Sequence, residues 1–301
     1  MKERILNVNI DDLNKNIKND YNDYILTCEN YYKNQIKELV EEIKLSSNVK
    51  FVLLAGPSSS GKTTTAKLLK EELDRNGFNA QTISLDDFFV EREDTPVWDD
   101  GKPNYETIDA IDWKLFAKCI HALETTGTAL MPTYDFVVGK KFFQQTLTLN
   151  KNDIIVIEGL HSLNPVLDNY IAAGLSVKVY LEPLVKYYSN NQEIMDGKKL
   201  RLFRRLIRDL YTRGISAEKT LASWELVRKG EKLYISPFKD TANFTINTCH
   251  PYEICIYKYI IDFLGLNKKP EYDELLEPFK YFEMLIKETM PEGSLLQEFV
   301  H

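Results

Sequence analysis

Cysteine and histidine are scarce, four of each in 301 residues. Cys28, Cys119, Cys249 and Cys255 form no C-x-x-C pair and no disulfide framework, so they read as reduced thiols of a cytoplasmic chain. His121, His161, His250 and His301 do not complete a zinc set with them. No apolar run approaches the roughly 20 residues that cross a bilayer. Met1 to Asn16 has two early basic residues but no apolar core, so neither a membrane span nor a signal peptide is expected. Positive charge is in deficit: 38 Lys and Arg stand against 45 Asp and Glu, a net charge of -7. That argues against a nucleic-acid binder, while a local basic cluster can still hold phosphate. Repeats, low-complexity tracts and a Pro/Gly linker are absent too. One domain with embellishments is expected.

The 44% hydrophobic content supplies a sizeable core. Residues 1–48 read as a helical extension, with Ile36, Leu39, Val40 and Ile43 at helical spacing. Phe51-Val52-Leu53-Leu54-Ala55 is a short apolar run ended by Gly56 and Pro57, the pattern of a buried parallel strand. A helix follows over 62–76, stopped by Gly77. Strands are expected again at 82–85, 153–157 and 177–181. Helices are expected at 113–123, 198–213, 217–233, 252–264 and 272–286. Residues 131–149 alternate about Gly139-Lys140-Lys141 and read as an inserted β-hairpin. The pattern predicts an α/β fold: a doubly wound, mostly parallel sheet with helices on both faces, the hairpin and a helical lid. The core spans 49–248, with the lid at 186–215, and closing helices occupy 249–301.

Gly56-Pro57-Ser58-Ser59-Ser60-Gly61-Lys62-Thr63, with Thr64 behind it, fits G-x-x-x-x-G-K-[ST] after a strand and before a helix. Such a loop curls backbone N–H groups around phosphate oxygens at a helix N-terminus. Lys62 is expected to reach the β- and γ-phosphates and Thr63 to ligate Mg²⁺.

Three more clusters fall where strand ends and a basic helix would border that loop. Asp86 and Asp87 follow the second strand, where a carboxylate can take a hydroxyl proton; capping a helix is the plainer use of either. Glu158 closes the most apolar strand and can hold the hydration shell of Mg²⁺, or simply be a solvated strand end. Arg201, Arg205, Arg208 and Arg213 recur along one helix and can close over a triphosphate, or form a solvated basic face. His161 falls near the same edge, where it can touch phosphate or substrate or equally be a hydrogen-bonded loop histidine. Lys140 and Lys141 read as a solvated pair at the hairpin tip, and Trp98, Trp113 and Trp224 as packing residues.

From Phe51 to Asn243 the chain resembles the uridine kinase and phosphoribulokinase group of phosphate-loop kinases, nearest to uridine–cytidine kinases. The matching stretches are the phosphate loop, Ser84-Leu85-Asp86-Asp87-Phe88-Phe89 and Asn104-Tyr105-Glu106-Thr107-Ile108-Asp109-Ala110-Ile111-Asp112. Further matches are Pro132-Thr133-Tyr134-Asp135-Phe136, Ile157-Glu158-Gly159 and the Arg-rich helix ending in Arg213-Gly214. The resemblance implies phosphorylation of a ribonucleoside 5′-hydroxyl by ATP or GTP with Mg²⁺. It implies Asp86 as general base, Asp109 on the ribose hydroxyls, Tyr134 beside the base and Arg205 near the reacting hydroxyl. Arg208 and Arg213 match arginines on the donor phosphates. The implied partner is a small-molecule nucleoside, without nucleic acid or membrane; uridine–cytidine kinases often form homotetramers. The chain departs from that pattern at Gly139, Ile215 and Ser223, where uridine–cytidine kinases carry His, Arg and Gln that contact substrate. The N-terminal helix and the segment around Met290-Pro291-Glu292-Gly293-Ser294 are similar to a longer bacterial uridine kinase-like branch. Alternatives open at this point are a kinase of the same fold acting on a sugar phosphate or pantothenate, and a nucleotide-binding regulator without turnover.

Overall fold

The first ordered element is a strand that the sequence pattern did not announce, β1 (Leu6–Asn9). Asn9 ends it and caps helix α1 (Ile10–Leu45), its side chain accepting from the N–H groups of Asp11 and Asp12. The computed structural model describes residues 5–46, 48–150 and 153–300; His301 lies outside them. Helix α1 breaks at Asp20, whose carboxylate accepts from Asp23 N–H at 3.1 Å and restarts the helix as a cap would. After the break Ile25, Cys28, Tyr32, Ile36, Leu39, Val40 and Ile43 are buried at helical spacing.

In chain order there follow β2 (Phe51–Ala55), α2 (Lys62–Arg75), β3 (Ala80–Ser84), α3 (Trp113–Thr126), β4 (Thr128–Asp135), β5 (Lys140–Thr148) and β6 (Ile154–Glu158). Then come β7 (Ser176–Glu182), β8 (Val185–Ser189), β9 (Gln192–Asp196), α4 (Gly197–Thr212), α5 (Ala217–Tyr234), β10 (Phe244–Asn247), α6 (Glu253–Phe263) and α7 (Asp273–Leu276). The main sheet has the order β10-β7-β2-β6-β3 and every pair in it is parallel. Its two faces follow the strand period of two. Val52, Leu54, Ile154 and Val156 join the core shared with α1, α2, α4 and α6. Phe51, Leu53, Ile155 and Ile157 join a second core with α3 and the β4–β5 hairpin. The sheet is doubly wound, as the alternation of strands and helices predicts.

Two expectations change. Residues 186–196 are not helical: β8 and β9 pair antiparallel through Asn190 and Asn191, both at positive φ, and β8 also pairs with β1. Asn is one of the few residues that adopts such a two-residue turn without large strain. The expected helix over 272–286 is reduced to the single turn of α7 between 3₁₀ turns. Pro278 lacks the N–H that would continue it. The apolar spacing there packs Phe279, Phe282 and Leu285 inward and leaves Ile286 51% exposed.

Both ends of the chain are tied to the core by buried polar groups. Tyr252 and Ser294 hydroxyls both donate to Glu29 Oε1, at 2.7 and 2.6 Å, joining α6, the C-terminal segment and α1. Beside them Arg204 makes a two-pronged pair with Glu253, Nε to Oε2 at 2.7 Å and Nη2 to Oε1 at 2.8 Å. Both side chains are fully buried. All four cysteines are buried and free. Among the described residues no helix is long and apolar enough to cross a membrane.

Removing one partner of a buried pair strands the other charge, at a cost of about 3–5 kcal/mol. Glu253→Ala is expected to lose stability on that scale in urea denaturation, and Arg204→Met with Glu253→Leu to lose clearly less. Equal losses in the two variants would show that the pair's electrostatics do not govern stability here.

Candidate active site

Strand β2 delivers the chain into the loop 56–61, and α2 takes it away. Ser59 lies at φ 59° and Gly61 at φ 89°. Gly61 is also crowded: a Cβ on it would stand 2.6 Å from Leu295 Cδ1. Only glycine meets both constraints. Ser60 N–H donates to Pro57 O at 3.2 Å, and Lys62 Nζ folds back over the loop to Pro57 O at 3.3 Å. Thr63 is exposed at the first turn of α2, and Thr64 is half-buried behind it.

The arginine helix α4 lies across this loop and holds it from outside. Arg201 Nη1 donates to Ser58 O at 3.2 Å, Arg204 Nη1 to Ser59 O at 3.4 Å and Arg205 Nη1 to Ser58 Oγ at 2.9 Å. Arg201 is therefore not a cleft arginine, since it is fully buried and paired with Glu231 at 2.7 Å. Arg205, Arg208 and Arg213 keep some exposure and share one buried carboxylate, Asp209, at 3.5, 3.3 and 3.6 Å. Asp209 also accepts from the Thr220 hydroxyl on α5 at 3.1 Å. Among the described residues Asp209 is the one carboxylate in ion-pair distance of these three guanidinium groups, which leaves net positive charge for an anion.

At the carboxyl edge of the sheet the acidic groups converge. Glu158 ends β6 between Leu54 of β2 and Ser84 of β3, and Ser84 Oγ donates to it at 2.7 Å. It is buried, and burial together with the nearby Asp86 charge holds its carboxyl above the usual range, with Lys62 pulling the other way. Asp86 lies inside the 3₁₀ turn Leu85–Phe88, whose cap is Ser84, so helix capping is not its task. Asp87 has a different use: its Oδ1 accepts from Tyr134 N–H at 3.1 Å and fastens the hairpin to this turn.

Glu106 is the residue that the sequence reading passed over. Its Oε2 is shut off from solvent and has no hydrogen-bond partner. Burial pushes it up to about 7, against the pull of Arg205 and Lys62; Asp86 and Glu231 add to the rise. Gly230 of α5 makes room for it, since a Cβ there would stand 2.2 Å from Glu106 Cβ. Asp109, three residues on, sits exposed on a 3₁₀ turn. The sequence signal was present in the same matched stretch, but both residues are acids and only the fold tells which one faces inward.

Tyr134 is buried in an aromatic group, its ring 5.8 Å from Phe89 and 5.0 Å from Phe136, with its hydroxyl unpartnered. His161 is buried near Glu106 and Thr107, and burial pushes it down to about 4, so it is neutral at physiological pH. Lys141 is not a solvated tip residue: its ammonium donates to Phe89 O at 3.0 Å and Asp112 Oδ2 at 3.1 Å. Trp113 donates to Ile108 O, and Trp98 and Trp224 lie under Lys229 and Arg201 respectively.

Among the described residues no cluster of three His, Cys, Asp or Glu side chains could hold a metal ion. The Thr63 hydroxyl and the buried Glu158 carboxylate are oxygen donors of the kind that would suit Mg²⁺. The assembled groups suit phosphoryl transfer to a hydroxyl: a phosphate loop with its lysine, arginines opposite, and carboxylates on the acceptor side.

A family model described as the phosphoribulokinase / uridine kinase family matches residues 51–254. The chain is similar to the uridine kinase of Macrococcus caseolyticus, 26% identical over 202 residues, which is 66% of this chain and 88% of that one. It is similar to the uridine kinase of Halobacterium salinarum at 27% over 194 residues, 64% of this chain and 77% of that one. A solved structure from Silicibacter sp. TM1040, described as a candidate fructose transport system kinase, shares the fold at a TM-score of 0.50. It is 16% identical and covers 70% of this chain and 98% of its own.

Glu106 carries a sign for stability. Its folded pKa of about 7 lies above the ordinary 4.5, so the folded chain binds the proton more tightly and loses stability as pH rises through that window. Glu106→Gln is expected to match the parent chain near pH 4 and to be the more stable of the two at pH 8, read by urea denaturation without ligands. A difference that does not grow with pH would place Glu106 in solvent.

Proposed function

Because the chain belongs to the phosphoribulokinase / uridine kinase family of phosphotransferases with alcohol acceptors, we propose that it transfers the γ-phosphoryl group of ATP or GTP to the 5′-hydroxyl of a ribonucleoside, uridine or cytidine first. The observation that carries the reading is the convergence of Lys62, Asp86, Glu106, Glu158 and Arg205. Glu106 feels the charges of Arg205, Lys62 and Asp86, and Glu158 those of Asp86 and Lys62. A cleft that combines a general base with a phosphate loop and arginines is organised for turnover; a sensor needs no base.

In this reading Asp86 accepts the proton of the acceptor hydroxyl as its oxygen attacks the γ-phosphorus, and the bond to the β,γ-bridging oxygen breaks to leave the nucleoside diphosphate. Lys62 and Arg205 offset charge on the transferring group, and Arg208 and Arg213 hold the donor phosphates. Thr63 and Glu158 would hold Mg²⁺, which would supply positive charge to offset that of the donor phosphates. Glu106 takes the role of accepting from the acceptor's other hydroxyls, in place of Asp109. The reduced, buried cysteines support a cytoplasmic setting.

The base-reading side supports less. Gly139 lies at φ 78°, and a Cβ there would stand 2.7 Å from Arg92 Nε. Arg92 fills the space, donating to Phe136 O and Val137 O of the hairpin turn at 2.5 and 3.2 Å. A histidine cannot be accommodated at 139 without expelling it, so pyrimidine recognition by that device is closed to this chain.

Release of the diphosphate product from ATP and Mg²⁺ is the test, with nucleosides, pentose phosphates and pantothenate as acceptors. Turnover on uridine or cytidine is expected. Turnover only on another acceptor would keep the reaction and replace the substrate, and none on any acceptor with ATP still bound would favour a regulator. Asp86→Asn is expected to lower kcat by about 10²–10⁴-fold with ATP affinity unchanged. Glu106→Ala is expected to raise the acceptor KM at least about tenfold and Asp109→Ala to change it less than about twofold. The reverse order would return the hydroxyl-binding role to Asp109.

A further inference from the structure

The last residues described belong to the phosphate site, although they lie well past the segment that matches the family. Residues 294–300 run across the start of α2. Leu295 packs on Gly61 of the phosphate loop. Phe299 lies beneath the Arg204 guanidinium, 5.0 Å from its carbon. Between these anchors Glu298 projects its carboxylate to the loop, where Thr64 N–H donates to Oε2 at 3.0 Å.

That N–H is one of the orphan donors in the first turn of α2, and first-turn N–H groups after a phosphate loop are the ones a donor's phosphates meet. A carboxylate and a phosphate oxygen cannot both accept it in the same place, and two anions set side by side repel. The negative charge of Glu298 also reaches Glu158, which it helps to hold above the usual carboxylate range.

The segment itself is not built to swing away. Leu295, Leu296, Phe299 and Val300 are 0–1% exposed, and the Ser294 hydroxyl donates to Glu29 in the core. Glu298 alone among its immediate neighbours in the sequence after Ser294, apart from Gln297, keeps solvent contact. A polyphosphate can therefore displace the side chain while the backbone stays in place.

We propose that Glu298 sets the affinity of the phosphate loop for the phosphoryl donor: it is an internal anion on the Thr64 N–H that competes with the donor's phosphates. The proposal rests on the kinase reading of the phosphate loop. It makes donor affinity a property of the C-terminal segment as well as of the loop. A donor must offer the N–H a better acceptor than the carboxylate and must carry enough cation to offset the repulsion.

Isothermal titration of MgATP into the full chain, Glu298→Gln and Glu298→Ala tests it, with inorganic tripolyphosphate as a second probe. Gln keeps an acceptor for Thr64 N–H and removes the charge; Ala removes both. Both variants are expected to bind MgATP at least about tenfold tighter than the parent chain, by relief of like-charge contact. Tripolyphosphate is expected to gain likewise, because the competition is for phosphate and not for the base. Equal or weaker MgATP binding by both variants, each folded by circular dichroism, would overturn the proposal and reduce Glu298 to a helix cap. Binding of neither probe by any of the three chains would overturn the phosphate-loop reading and the proposal with it.

Discussion

The guanidinium of Arg204 is the point on which the phosphate loop depends. It is fully enclosed, and its charge is met by Glu253, the one carboxylate within hydrogen-bond reach among the described residues. From that fixed position it donates to Ser59 O in the loop and to Thr248 O after the last sheet strand. Glu253 in turn accepts from the Tyr257 hydroxyl and from His250 N–H. A buried ion pair contributes little net stability when complete and costs much when broken. Its value here lies in geometry, because a planar, two-pronged pair has one orientation and passes it to the loop backbone.

Helix α4 therefore serves two environments at once. Arg201 and Arg204 face inward and grip the loop carbonyls, each matched by its own carboxylate. Arg205, Arg208 and Arg213 share Asp209 and remain short of negative charge. The deficit sits beside the phosphate loop, while Asp86, Glu106 and Glu158 lie near one another, the latter two held above the usual carboxylate range by burial. Positive and negative groups thus act on one another at this edge: Glu106 feels the charges of Arg205 and Lys62, and Arg213 that of Asp86. The terminal extensions complete the arrangement: α1 supplies Tyr32, whose hydroxyl is 2.7 Å from Thr65 Oγ1, and the C-terminal segment covers Gly61.

Much of the site was legible because it is local. A phosphate loop is eight consecutive residues between a strand and a helix, and Asp86 and Glu158 each end a strand with a clear apolar pattern. Arg205, Arg208 and Arg213 were legible as helical spacing. Arg204 was not, since nothing in the spacing says that one of two adjacent arginines will be buried against a glutamate 49 positions later. Glu106 and Asp109 differ by three residues in one irregular loop without a regular period, so no periodicity could rank them. The hairpin of β8 and β9 hid behind Asn190 and Asn191, a weaker turn signal than a glycine. The helix expected near the C-terminus failed at Pro278.

The chain by itself determined four of the five strands of the main sheet, all but β10, with its two-sided winding and the phosphate loop, because strand and helix periods and backbone-driven anion binding are written in short stretches of sequence. Only the tertiary structure decided which charges are buried, which acid faces the cleft and what lies over the start of α2. Those outcomes depend on burial and on pairing between distant residues, as when Glu298 reaches Thr64 across 234 positions, and a linear pattern holds no record of either.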